Sequence, residues 1–287
     1  SAGIMLGGLL NIALDPLFMF VLLPRGQEVL GAGIATCLSN CVALLYFLII
    51  MARLGRGSVL TFSAQVGLPE RSSISAVFGV GVPSAIATFL FDLDYVILDK
   101  LMVAYDDLAL AAIGIVLKVE RFPLNAGIGI CQGMLPLVAF NYAAGNKKRM
   151  EDTISLALWL GLAIAAVSIA LYELFAVEFS HLFMKDPQTL ALASQFLRIR
   201  VLATPLMFLS FFTVHLFQAF GKGRIALFLG VTRWLAFNIP MLFLLNALFG
   251  MFGLVWSQVA ADSLTVLLSA FVYWKYRPDP ARLQTPS

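Results

Sequence analysis

Charge is what this chain has least of. Its 287 residues include 19 Lys and Arg and 16 Asp and Glu, so 12% are charged, about half the share of a soluble domain. That shortage excludes a water-soluble globule and a solvated disordered segment. The net charge of +3 is spread over short loops and forms no basic face, so nucleic acid is excluded as a partner. Histidine occurs twice, and the three cysteines, Cys37, Cys41 and Cys131, lie in apolar stretches without acidic or histidine neighbours. They read as small apolar residues, not as metal ligands or a disulfide framework. No nucleophile stands at a telling spacing from a base and no phosphate loop occurs, so we expect neither an enzyme nor an organic cofactor. An initiator Met, a basic leader and a cleavage motif are also missing, which predicts a fragment or a record without its beginning.

What fills the chain is hydrocarbon: 61% of residues are hydrophobic and mean hydropathy is +0.93. Apolar windows long enough to cross a membrane core of roughly 30 Å fall about eight times, near 3–23, 30–53, 74–103, 109–143, 154–178, 190–220, 225–248 and 252–276. The fold class is therefore all-α, a polytopic membrane protein of about eight transmembrane helices, with Pro83, Pro123, Pro136 and Pro205 expected to kink them. Basic residues gather after even-numbered windows, as at Arg53, Arg56 and Arg71 or Lys147, Lys148 and Arg149. The positive-inside rule then makes both termini cytoplasmic.

One repeat is visible. The run from Asp15-Pro16 to Leu23, followed by Gly33, resembles Asn238-Ile239-Pro240 to Leu245, followed by Gly253. Helices one and two would then be equivalent to helices seven and eight, as in transporters built from repeated bundles. This predicts the last two helices of a first lobe over 1–55 and a cytoplasmic linker over 56–73. A second six-helix lobe over 74–277 and a tail over 278–287 follow, with about four helices before residue 1.

Polar side chains at membrane depth are costly, roughly 2.5–3.5 kcal/mol for an aspartate on insertion scales, and mark functional sites. Asn11 and Asp15 share a helix face, and Pro16 frees the carbonyl of Ile12; together they suit a cation or proton, with Pro16 as a hinge. On the third helix Asp94 is the preferred lumen-facing carboxylate and a cation- or proton-binding candidate, and Asp92, on another side of the helix, is a substrate-cavity candidate. The fourth helix offers Lys118, Glu120, Gln132 and Met134 as cavity residues and Pro136 as a second hinge. Arg198 and Arg200 read as an interfacial pair that snorkels, Arg233 and Asp262 as a structural ion pair, and His215 as a packing residue.

Asn-x-x-x-Asp-Pro-x-Phe, as Asn11 to Phe18, and Gln-Gly-x-x-Pro-x-x-x-x-Asn-Tyr-x-x-Gly, as Gln132 to Gly145, resemble signatures of the multidrug and toxin extrusion (MATE) transporters. Gln218 to Gly223 is similar to the sixth helix of that family's second lobe. The resemblance covers nearly the whole chain. It implies two six-helix lobes, of which this chain is the last eight helices, in a bacterial plasma (inner) membrane. It implies antiport: export of cationic, amphipathic drugs or toxins driven by Na+ or H+ as coupling ion, with small organic cations, the lipid bilayer and the preceding helices as partners. By resemblance the first-lobe cation site comprises Asn11, Asp15 and Thr36, and Asn141 joins the cavity candidates. Some members carry a second-lobe glutamate where Phe91 stands here, which leaves Asp92 and Asp94 as substitutes. The alternative is a flippase of related architecture moving a lipid-linked saccharide, which needs a basic cavity built from Lys118, Arg121, Arg198 and Arg200.

Overall fold

The computed structural model describes residues 2–24, 26–54 and 71–276, with some side chains of the 71–88 stretch left aside. Most of the expected linker over 56–73 and the tail over 278–287 lie outside the described residues. Among those described, every long element is a helix and no strand occurs. The helices divide into two compact units, Ser1–Glu70 and Arg71–Ser287.

The first unit is a helical hairpin. Helix α1, Ala2–Pro16, passes into a π-helical stretch, Leu17–Leu22, and α2 spans Glu28–Leu54. The seam follows from spacing: Gly3, Gly7, Asn11 and Asp15 recur every four residues and so form one row on α1. A Cβ on Gly3 would sit 2.7 Å from the ring of Phe47, and one on Gly7 3.1 Å from Cβ of Ala43. Glycines thus let the two backbones approach, as small residues do at membrane helix contacts. The shift to π geometry begins directly after Pro16, whose missing N–H breaks the regular i to i−4 ladder.

The second unit contains α3 (Arg71–Val103), α4 (Asp107–Ala143), α5 (Lys147–Leu174), α6 (Ala176–His181), α7 (Pro187–Val201), α8 (Thr204–Ala219), α9 (Gly223–Val231), a π-helical segment Thr232–Asn238 and α10 (Ile239–Tyr276). Helix α4 is its axis and packs on α5, α7 and α8. Among the described residues five helical stretches are long and apolar enough to cross a membrane, six if α7 and α8, bent by 44° at their break, form one span. The last stretch, Gly223–Tyr276, has 54 residues and would measure about 80 Å if straight, far more than one crossing. It bends at Gly250, where φ is 59°, a left-handed conformation that glycine adopts without penalty. Tyr105 closes that corner by donating its hydroxyl to Asn246 Oδ1 at 2.6 Å.

The prolines stand differently with respect to the helix breaks. Pro205 opens α8 just beyond the 44° break. By contrast α4 runs without interruption through Pro123 and Pro136, and α3 through Pro83. The helix continues through Pro136, the residue expected to act as a second hinge. Outside the membrane-spanning stretches, Asp186 caps α7, and the backbone N–H and hydroxyl of Thr189 hold its carboxyl below the usual carboxylate range.

Polarity is inside out relative to a soluble protein. Phe122 is 78% exposed while Asp262 is 0% exposed, the pattern expected where hydrocarbon is the solvent. One apolar cluster joins Leu98, Val116 and Phe196 with Leu254, and another joins Cys131, Val138 and Phe217 with Val272. Along α4, Glu120 falls between the residues of these two clusters.

The two proline stretches share local structure. Both proline motifs adjoin π-helical segments, and each is met by a glycine: a Cβ on Gly31 would lie 2.9 Å from the carbonyl carbon of Phe18, and one on Gly253 would overlap the carbonyl oxygen of Leu245. In the first unit Gly31 makes this close approach. Gly253→Ala is expected to destabilise the protein by about 1–3 kcal/mol, because backbone must move to admit the methyl group. Gly33→Ala meets nothing within 4 Å and serves as the neutral control. Thermal unfolding in detergent reads both; equal unfolding temperatures for the two variants would show that the 253 contact is absent.

Candidate cation sites

In the first unit the three sequence-predicted residues come together. Asn11 Nδ2 donates to Asp15 Oδ1 at 3.2 Å and lies 3.4 Å from Thr36 Oγ1 on α2. Ser39 Oγ, one turn beyond, donates to the carbonyl of Thr36. Asn11 and Asp15 are half-buried and Thr36 is exposed within this two-helix unit. No salt bridge among the described residues engages Asp15. The cluster therefore offers a carboxylate, an amide and a hydroxyl, all oxygen-bearing groups suited to a hard cation or a proton. Pro16, adjacent to the carboxylate, sets the start of the π-helical stretch.

In the second unit a larger polar cluster lies wholly inside the bundle. Glu120 on α4 receives two bonds from Arg200 on α7, Nε to Oε2 at 2.7 Å and Nη2 to Oε1 at 3.2 Å. Arg233 on the π-helical segment pairs with Asp262 on α10 at 2.9 Å, and its guanidinium also faces the rings of Phe211 and Trp234, 4.5 Å from each centroid. Gln258 joins the two ion pairs: Arg200 Nη2 reaches its Oε1 at 3.5 Å, and its Nε2 donates to Asp262 Oδ2. Asn238 Nδ2 donates to Asp94 Oδ2 at 3.0 Å and to Gln258 Oε1 at 3.4 Å. All seven residues are at most 4% exposed. At that depth paired charges are tolerated and unpaired ones are costly.

Several expectations are placed differently. Arg200 is not an interfacial residue; the end of α7 turns it into the bundle, 2% exposed, onto Glu120. Arg198 remains at the surface, 4.0 Å from Glu173. Arg233 and Asp262 pair as expected, and His215 Nδ1 bonds the Phe211 carbonyl. The cavity candidates do not assemble. Asp92 is exposed on the side of α3 away from Asp94, Gln132 is exposed, and Lys118 is exposed with its ammonium over the ring of Phe183. Met134 is corrected from cavity lining to core: it is 3% exposed among Cys131, Val138 and their neighbours. Asn141 uses its Nδ2 on the carbonyl of Leu137, one turn back on its own helix. Sequence reasoning passed over Gln258 altogether; its i, i+4 spacing from Asp262 on an apolar helix was the available signal.

Among the described residues no group of three or more His, Cys, Asp or Glu side chains gathers as a metal site. The chain also matches known proteins. It is 30% identical over 268 residues to the multidrug export protein MepA of Staphylococcus haemolyticus, and 30% identical over 269 residues to MepA of Staphylococcus aureus strain N315. Each match covers 93% of this chain and 58% of the relative, so the chain spans less than two thirds of the relatives' length. Its fold is similar to a solved structure described as the outward-facing conformation of a multidrug resistance MATE family transporter of the MOP superfamily. There the TM-score is 0.83 at 21% identity, covering 99% of this chain and 62% of that one. The Vibrio cholerae MATE transporter VcmN in its bent form gives a TM-score of 0.78 at 21% identity, covering 96% and 61%. The MatE family model matches residues 83–244, more than half of the chain. This membrane protein with charges inside and hydrocarbon outside belongs to the MatE family of transporters.

Proposed function

We propose that the chain belongs to a cation-coupled antiporter, driven by Na+ or H+, that exports cationic amphipathic drugs or toxins by alternating access. The observation that carries this reading is the gathering of Asn11, Asp15 and Thr36 beside the change of helix geometry at Pro16. A carboxylate retained in an apolar hairpin without a basic partner among the described residues is the group an ion visits. Binding there would bias how the hairpin packs, and a ligand shifts a conformational equilibrium only by such differential contact. The similarity to multidrug export proteins supports the cargo class. We place the protein in a bacterial plasma membrane with both ends of the chain cytoplasmic. The flippase reading is not favoured: Arg200 is committed to Glu120 and Arg198 lies beside Glu173, while Lys118 and Arg121 lie over aromatic rings, so these four form no shared basic cavity.

The test is transport in proteoliposomes holding the protein expressed from its full reading frame. An imposed inward Na+ or proton gradient is expected to drive export of a fluorescent organic cation, with no export when both gradients are collapsed. Export that persists without either gradient would overturn the coupling.

A further inference from the structure

One end of the second unit carries basic side chains that its own packing leaves unused. Two turns meet there, 144–146 between α4 and α5 and 220–222 between α8 and α9. Each closes its helix through a glycine in the left-handed region, Gly145 with φ 69° and Gly221 with φ 71°. Each is followed at once by cations, Lys147, Lys148 and Arg149 after the first, Lys222 and Arg224 after the second. The rings of Tyr142 and Phe220, with centroids 5.1 Å apart, hold the turns side by side. Beneath them Met150, Phe220, Ala226 and Val272 belong to one apolar cluster, so the starts of α5 and α9 and the end of α10 surround a common floor. Lys222 fixes the third side by donating Nζ to the Tyr276 carbonyl at 2.5 Å, where the last carbonyls of α10 lack helical partners.

The charge of this corner is not balanced from within. Lys147 has Glu151 at 3.8 Å, both side chains more than half exposed, a pair worth little in water. Asp152 is the other carboxylate described at this end. Lys148, Arg149 and Arg224 are exposed and join no salt bridge among the described residues, and Lys275 lies over the ring of Tyr276. At the opposite end of the unit the sign is reversed, with Asp106, Asp107, Glu178 and Asp186 outnumbering Lys100 and Lys185. Beside Lys275, Trp274 is 73% exposed, a ring of the kind that membrane proteins place at headgroup level. Cations gathered with such a ring at the ends of membrane-spanning helices are complementary to an anion in the headgroup layer.

We infer that this corner binds the headgroup of an anionic phospholipid of the cytoplasmic leaflet, its phosphate among Lys148, Arg149, Arg224 and Lys275. Two guanidiniums suit the site because each can meet two phosphate oxygens at once. One lipid so placed touches α5, α9 and α10 together and ties their ends. The choice of leaflet rests on the orientation proposed above; the binding itself depends neither on that orientation nor on Asp15, so the two readings fail separately.

Native mass spectrometry of the purified full-reading-frame protein in detergent tests it, with phosphatidylglycerol or phosphatidylcholine added. The first phosphatidylglycerol is expected to stay bound at collision energies that strip phosphatidylcholine. A basic side chain near an anionic headgroup is worth about fivefold in affinity. The triple variant Lys148→Gln, Arg149→Gln, Arg224→Gln should therefore bind phosphatidylglycerol about 100-fold more weakly. Lys100→Gln with Lys185→Gln, at the other end, should keep the parent's affinity. Thermal unfolding gives a second reading. Phosphatidylglycerol should raise the parent's unfolding temperature by several degrees more than phosphatidylcholine does, and about 0.5 M NaCl should erase most of that difference. The triple variant, altered only at exposed positions, should unfold at the parent's temperature without lipid and gain little from either. Equal retention of the two lipids by the parent, or an undiminished preference for phosphatidylglycerol in the triple variant, overturns the proposal. So does an equal loss in the Lys100 and Lys185 variant. Sodium phosphate that stabilises the parent as much as the lipid does would assign the corner to free phosphate and overturn the lipid.

Discussion

Asp15→Asn is expected to abolish gradient-driven drug export while leaving the amount and folding of the protein unchanged. The two halves of that expectation come from the same hydrogen bond. Asn11 donates to Asp15 Oδ1 at 3.2 Å, and an asparagine side chain still offers an acceptor oxygen there. Since residue 15 is half-buried and the substitution keeps its shape, the cost in stability should stay within about 0.5 kcal/mol. The loss falls on the ion. A contact to a charged group is worth about 1.5–3 kcal/mol, which corresponds to roughly 10–150-fold in affinity for the coupling cation. At a working ion concentration near the dissociation constant, that loss uncouples the cycle. Thr36→Ala removes a neutral oxygen and should weaken coupling by about tenfold or less. Export rates under Na+ and proton gradients, read beside thermal unfolding in detergent, decide it. A fully active Asp15→Asn protein would remove the carboxylate from the mechanism.

How much of this was legible in the sequence depends on the range of each interaction. The windows near 190–220, 225–248 and 252–276 correspond to real segments because their breaks are local: Pro205 just beyond the bend between α7 and α8, and Gly250 with its positive φ. The pairing of Asn11 with Asp15 is likewise one helical turn, and the row it shares with Gly3 and Gly7 can be counted off the residues. Arg200 was misread for the opposite reason. Arg198 and Arg200 near a helix end look alike on paper, yet the chain turns at Leu202 and Ala203, and Arg200 meets a glutamate 80 positions earlier. No local pattern announces a partner at that distance. Proline is read differently: Pro136 stands inside a continuous helix, because α4 packs on α5, α7 and α8 and packing outweighs one lost backbone bond. Gln258, neutral and set in an apolar run, matters only because two other elements, α7 and the π-helical segment, converge on it beside Asp262 of its own helix.

Arg200→Met should be the most damaging single change in the second unit. The guanidinium meets Glu120 through two nearly parallel bonds at 2.7 and 3.2 Å, and both side chains are 5% exposed or less. Removing the arginine leaves a carboxylate in the interior with neither water nor a counter-charge, which costs about 3–5 kcal/mol. For a unit of this size the unfolding temperature should fall by on the order of 10 °C. The penalty belongs to the abandoned charge more than to the lost attraction, and that distinction can be measured. Adding Glu120→Leu to Arg200→Met removes the abandoned charge and is expected to recover most of the loss, since buried ion pairs replaced whole by apolar groups are often neutral or stabilising. Arg200→Lys should fall between, because an ammonium keeps the charge but cannot match both carboxylate oxygens. If Arg200→Met unfolds at the parent's temperature, the pair does not exist in the folded protein. If the double variant is no better than the single, the abandoned carboxylate is not what the substitution costs, and Glu120 is held by something other than Arg200.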